Sequence, residues 1–165
     1  MITIRNILVP IDFSENSFQA LDFGYLLASQ NKATLHLLNA IEAVSSLRKY
    51  SLTEDRSECM TEECVKVEFT KFLEKLPKGS VEIVQVVRVG KAHEQILEYA
   101  REKKVDMIVI SSHGWTGLTN LIIGSVTNKV LKQSEIPVLC LKANTFSAPH
   151  GLFKLKNIQA ENWVG

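Results

Sequence analysis

Residues 107–134 read MIVISSHGWTGLTNLIIGSVTNKVLKQS, and the architecture of the whole chain can be argued from them. Met107, Ile108, Val109 and Ile110 are apolar without polar alternation. Such a run suits a strand covered on both faces, as in a parallel sheet flanked by helices. Small and polar residues follow at once, Ser111, Ser112, His113 and Gly114, with another glycine at Gly117. After Gly124 and Ser125 a helical pattern opens at Val126 and runs to about Gln133. Ser125 is the expected N-cap, because its hydroxyl can accept a backbone N–H that the first turn leaves unpaired. A glycine-bearing loop and a helix start therefore converge at the carboxyl end of a buried strand. Backbone N–H groups there, together with the positive end of the helix, form an anion site that needs no lysine. In an open α/β sheet the ligand crevice lies outside the carboxyl ends of the strands. The first expectation is a phosphate-bearing small ligand held by this loop.

Upstream, apolar strand patterns and helical periodicities alternate. Ile2 to Ile11 reads as a strand with Pro10 at its end, where no ladder N–H is required. Asp12-Phe13-Ser14 is a loop, and Ser14 is the expected N-cap of a helix from about Glu15 to Gln30. That helix repeats apolar residues at Phe18, Leu21, Tyr25 and Ala28, broadened by Ala20, Gly24 and Leu27. A glycine inside a helix costs stability, so Gly24 implies a close approach to the sheet. Ala33 to Ile41 is the second strand, and a polar, irregular segment follows to about residue 57. A helix from about Glu58 to Leu76 places Val65, Phe69, Phe72 and Leu76 on one face, and Pro77-Lys78-Gly79 ends it. Val81 to Val89 is the third strand, and Ala92 to Lys104 is a helix with Ile96, Leu97 and Ala100 on its buried side. Pro137 to Leu141 is the fifth strand. Alternation of this kind predicts an open, parallel, five-stranded α/β sheet with right-handed crossovers and helices on both faces, Rossmann-like in outline.

Bulk properties narrow the class. A chain of 165 residues holds one domain with a sizeable core. A formal net charge of +1 argues against the broad basic footprint of a nucleic-acid binder. No apolar run approaches a membrane span, and Arg5 and Asp12 bracket what would be the apolar part of a signal peptide. Cys59, Cys64 and Cys140 fit no secreted scaffold or zinc site; free thiols are the expectation, a Cys59–Cys64 redox pair the alternative, and the cytosol the expected compartment.

The stretch from Ser111 to Ser125 resembles the nucleotide-binding signature of the universal stress protein family: glycine, two residues, glycine, nine residues, glycine, then Ser or Thr. Gly114 takes the second glycine, Trp115 to Ile123 supply the nine residues, and Gly124-Ser125 closes the motif. The first position falls on Ser111, a small residue that can offer an N–H or a hydroxyl. The resemblance extends to Asn6-Ile-Leu-Val-Pro-Ile-Asp12 and to Ile136-Pro-Val-Leu-Cys-Leu141, so it covers residues 1–142 and leaves a tail, 143–165, outside. It implies a sheet order of 3-2-1-4-5, of the adenine-nucleotide alpha-hydrolase type. It also implies that Pro10, Ala40 and Ile110 line an adenine pocket, that Gly114, Gly124, Ser125 and Val126 hold phosphates, and that Thr127 sits near them. Asp12, by itself as readily a turn residue or a cap, is matched to the site aspartate, which would bind ribose hydroxyls or a phosphate-bound Mg or Mn ion. The implied ligand is ATP or a related adenine nucleotide such as AMP or ADP. The implied assembly is a homodimer through the fifth strand, whose apolar edge would otherwise template aggregation. The tail offers a different cover for that edge, through the Phe153 to Lys156 alternation and Trp163.

Other readings bound this one. There is no G-x-x-x-x-G-K-[ST] and no G-x-G-x-x-G, so neither a P-loop nor a dinucleotide fold is expected. His113 has no recognisable triad or metal partners and reads as a surface histidine, His36 as a core or edge residue, Trp115 as cover for apolar surface or a stacking platform, and Lys129 and Lys132 as a solvated face. No nucleophile, base and leaving-group stabiliser occur together, so at most slow ATP hydrolysis is expected. The alternatives are a dimerisation or interaction module of the same fold that binds no nucleotide, and an enzyme of nucleotidyl chemistry.

Overall fold

The computed structural model describes residues 3–42, 62–74, 76, 79, 81–112 and 123–142. The strands are β1 (Asn6–Pro10), β2 (Thr34–Ile41), β3 (Ile83–Val89), β4 (Met107–Ser111) and β5 (Val138–Leu141). Helices α1 (Glu15–Asn31), α2 (Glu62–Leu73), α3 (Ala92–Glu102) and α4 (Ser125–Gln133) connect or flank them. All strand pairs are parallel, in the order β3-β2-β1-β4-β5, as expected. The irregular segment after β2 and the tail fall almost wholly in 43–61 and 143–165, outside the described residues.

Alternate residues of the central strands serve two cores. Ile7, Val9, Leu35, Leu37 and Val109 pack under α1 and α2, against Leu21, Tyr25, Val65 and Phe69. Leu8, Leu38, Ile108 and Ile110 face the other way, against Ile96, Leu97, Tyr99 and Val130 of α3 and α4. Both sides of β1 and β4 are thus dry, which accounts for their unbroken apolar runs. The buried stripe of α1 is Ser17, Ala20, Leu21, Gly24, Tyr25 and Ala28. Gly24 confirms the close approach: a Cβ there would lie 2.6 Å from Val9 Cγ2.

Several boundaries move for local reasons. β1 begins at Asn6 and not near Ile2, because the Asp106 carboxylate takes the N–H groups of Arg5 and Asn6 at 2.7 and 2.8 Å. β4 runs through Ser111, which pairs with Leu141, and the Ser112 N–H continues to the Leu141 carbonyl at 2.7 Å. Ser111 is therefore a strand residue rather than the first residue of the loop. Cys140 is a free, half-buried thiol whose pKa is raised by burial, whereas Cys64 is disulfide-bonded where a free thiol was expected. Cys59 lies outside the described residues. Among the described residues no helix is long and apolar enough to cross a membrane.

Candidate functional site

A cleft of about 220 Å³ opens at the carboxyl ends of β1, β2 and β4. Its apolar wall is Pro10, Ile11, Leu38, Ala40 and Ile110 from the strands, with Ala92 and Ile96 from α3. Its polar rim is Asp12, Ser17, Ser111, Ser125 and Thr127, beside Gly124 and Val126. All the site residues expected from sequence come together here except Gly114, which lies outside the described residues along with His113, Trp115 and Gly117.

The strand ends shape the apolar wall. Pro10 has no N–H to give, and the β1–β2 ladder resumes one residue later, with Ile11 N–H donating to the Leu38 carbonyl at 2.8 Å. The Asn39 side chain ties the same turn down, donating to the Ile11 carbonyl at 2.8 Å. On the far side the Glu42 carboxylate accepts the Ala92 N–H at 2.8 Å, which fastens the start of α3 to the end of β2.

Asp12 is exposed on the rim, and its Oδ1 accepts both the Ser14 N–H at 3.0 Å and the Ser14 hydroxyl at 2.5 Å. Between them Phe13 adopts a left-handed backbone, φ 61°, and its ring packs edge-on against Phe69 at 5.3 Å. Opposite, α4 begins one residue earlier than expected. Its N-cap is Gly124 and not Ser125, and among the described residues no side chain caps it. Gly124 donates its own N–H to the Ser112 carbonyl at 2.7 Å, so that N–H is already spent within the protein. The Thr127 hydroxyl, 5% exposed, donates to the Ser111 carbonyl at 2.8 Å and pins the first turn to the end of β4. What the helix start offers is therefore the amides of its first turn, which have no intrahelical acceptor.

Asp12 is the only carboxylate among the lining residues, and no group of three metal-ligating side chains occurs among the described residues. A Mg or Mn ion here would depend on ligand phosphates for most of its coordination. His36, the other histidine of interest, is buried in the α3 face with Nδ1 2.9 Å from the Tyr99 hydroxyl and Nε2 3.3 Å from Asn6 Oδ1. It is a core residue, as expected, and does not line the cleft. Lys129 and Lys132 are exposed.

Sequence reasoning missed Ile11, Ser17, Leu38, Ala92 and Ile96 as lining residues. Ala92 and Ile96 are four apart on one face of α3, a spacing visible in the sequence. Their aim at this cleft follows from how α3 crosses from β3 back over β2 toward β4, which spacing does not reveal.

An open parallel α/β sheet with a cleft at a reversal of strand order, rimmed by a carboxylate and a helix start, defines a domain of the doubly wound α/β class. The family model described as the universal stress protein family matches residues 3–142. The chain belongs to the universal stress protein family. It is 34% identical over 148 residues to universal stress protein YxiE of Bacillus subtilis, covering 84% of this chain and 99% of that one. Among solved structures it resembles the universal stress protein of Archaeoglobus fulgidus in complex with dAMP, with a TM-score of 0.58 at 19% identity over 86% of this chain and all of the other. It also resembles a universal stress protein in complex with cAMP, with a TM-score of 0.57 at 20% identity over 86% of this chain and 98% of that one.

Proposed function

We propose that this chain is a cytosolic module of the stress response whose cleft binds ATP or a related adenine nucleotide. The observation that carries the reading is the meeting of three unlike surfaces across one cleft: an apolar slot, a fixed carboxylate and a helix start without a side-chain cap. The slot of Pro10, Ala40, Ile96 and Ile110 suits a flat apolar base, and Asp12 suits sugar hydroxyls. The first-turn amides of Ser125, Val126 and Thr127 suit phosphate oxygens. Small-molecule sites commonly measure about 300–1,000 Å³, so a cleft of about 220 Å³ holds the nucleoside while the phosphates lie along its mouth. That relatives of this fold carry dAMP and cAMP supports adenine as the base. Gly114, by its place in the motif, would add to the phosphate contacts.

Titration calorimetry with ATP and AMP, paired with mass spectrometry of small molecules released from the purified protein, tests the reading. Saturable binding that weakens in Gly124→Val supports it. No bound nucleotide and no heat with either ligand would favour an interaction module of the same fold. The half-buried Val138, Leu139 and Cys140 stand on the edge strand of the described sheet, and a second copy paired along β5 would cover them. Sedimentation equilibrium reads that directly, and a monomer at every concentration would remove the dimer.

A further inference from the structure

Ser17, in the first turn of α1, lines the cleft and is 2% exposed. Its N–H donates to the Ser14 hydroxyl oxygen at 3.2 Å, and its own hydroxyl donates to the Ser14 carbonyl at 2.9 Å. The two serines thus complete the start of the helix between them. The direction of the second bond is settled by chemistry, since a carbonyl oxygen only accepts. A hydroxyl carries one proton and two lone pairs, so with the proton committed Ser17 Oγ keeps acceptor capacity alone. Among the described residues no donor reaches that oxygen. Buried polar atoms are paired with few exceptions, and an acceptor left over on the wall of a cleft is open to a donor that the ligand brings.

We propose that Ser17 is a specificity-determining residue: its hydroxyl oxygen accepts the proton of one sugar hydroxyl of the bound nucleotide. The inference rests on the nucleotide reading of the cleft. An ionised phosphate oxygen is the wrong partner, because it too only accepts. The donors of an adenine nucleotide are its sugar hydroxyls and the amino group of the base. The slot for the base is built from the strand ends and α3, and the phosphate amides belong to α4. Helix α1 packs on the other face of the sheet from α3 and α4, so Ser17 closes the cleft on the side left to the sugar. Thr127, the other buried hydroxyl of the rim, pins the α4 start to Ser111, and its removal would disturb the phosphate amides as well. Ser17 isolates the sugar contact.

The test compares ATP, 2′-deoxy-ATP and 3′-deoxy-ATP by titration calorimetry in the full chain, native and Ser17→Ala. Alanine removes Oγ alone and is the best helix former, and the Ser14 carbonyl keeps the Phe18 N–H at 3.2 Å. Each comparison is a ratio within one folded protein, so a shift in its urea midpoint does not disturb the result. Ser17→Ala should weaken ATP by about threefold to tenfold, the scale of a hydrogen bond between neutral groups. It should leave one deoxy nucleotide, the one lacking the hydroxyl that Ser17 accepts, within about twofold of its native affinity. The native protein should bind that same nucleotide more weakly than ATP by at least the factor that Ser17→Ala removes. Equal losses for all three nucleotides, or an undiminished affinity for ATP, overturn the assignment. A native protein that binds all three equally overturns it too, and leaves the nucleotide reading standing. A native protein that binds none of them removes that reading and this inference together.

Discussion

Helices α1 and α4 both begin at the mouth of the cleft, and their first turns are completed in opposite ways. At α1 the Ser14 side chain accepts the Ser17 N–H, and Glu15 places a negative charge in the first turn. At α4 the cap is a glycine, no side chain among the described residues reaches back, and the first turn carries no acidic residue. The α3 start lies nearer to α1 in kind, since Glu42 accepts the Ala92 N–H and Glu94 sits in the first turn. Two of the three helix starts on this rim have their positive ends answered by the protein itself. Among the described residues no side chain answers the third, and the proposed phosphate site is the one helix start left in that state.

The strongest way to break the contrast is to give α4 what α1 already has. Gly124→Asp fits the backbone, since φ −55° and ψ 148° suit an ordinary N-cap residue. The new carboxylate should accept a first-turn N–H and raise stability by about 0.3 kcal/mol, the small gap between glycine and a good N-cap. It should also repel phosphate, and the predicted loss of ATP affinity is about a hundredfold, near 3 kcal/mol. A melting temperature that rises while ATP binding disappears is the expected pair of results. Unchanged ATP affinity would mean that the phosphates are held elsewhere.

Damage to the body of α1, leaving its start alone, is the control of next size. Gly24→Ala puts a Cβ 2.6 Å from Val9 Cγ2, and overpacking of this kind costs about 1–3 kcal/mol. Urea unfolding should show that loss, with ATP affinity in the folded protein within about threefold of native. A smaller effect is expected from Thr127→Val, which removes the bond from the α4 start to the Ser111 carbonyl. The predicted cost is about 1 kcal/mol of stability. A fall of a few-fold in ATP affinity should accompany it if that bond sets the angle of the helix start.

Which half of the contrast could be read from sequence depends on how local its cause is. The α1 start was legible because Asp-Phe-Ser followed by an apolar helical period carries its own cap. The strand order followed from alternation and the family resemblance together, and Gly24 announced its close packing by being a glycine in a helix. The α4 start was misplaced by one residue because Ser125 is the better cap in isolation. The Gly124 N–H bond to Ser112 and the Thr127 bond to Ser111, which start the helix earlier, join groups far apart along the chain. The same reason hid Asp106 at the start of β1 and Glu42 at the start of α3, each a carboxylate acting on a distant amide.

The smallest effect concerns the wall behind α3, and it asks whether that side of the cleft is independent of the two helix starts. His36 has its pKa lowered, first by burial and then by the Lys103 charge, with Glu82 opposing. The neutral ring fits its partners: Nε2–H donates to Asn6 Oδ1, and Nδ1 accepts the Tyr99 hydroxyl proton. A second proton on the ring would turn the Tyr99 hydroxyl around, beneath the Arg88 guanidinium that lies 5.4 Å from the Tyr99 ring centroid. The unfolded chain binds that proton at the ordinary value of 6.5, and the folded chain only at lower pH. The stability contributed by neutral His36 is therefore complete above that value and is lost as pH falls below it, down through the depressed folded pKa. Urea midpoints measured from about pH 7.5 to about pH 5.5 should decline for the native chain and decline less for His36→Gln. ATP affinity of the folded native protein should stay flat over the same range, because His36 touches neither Asp12 nor the α4 amides. An affinity that fell together with the midpoint, and was rescued in His36→Gln, would show that α3 carries the proton's effect into the cleft.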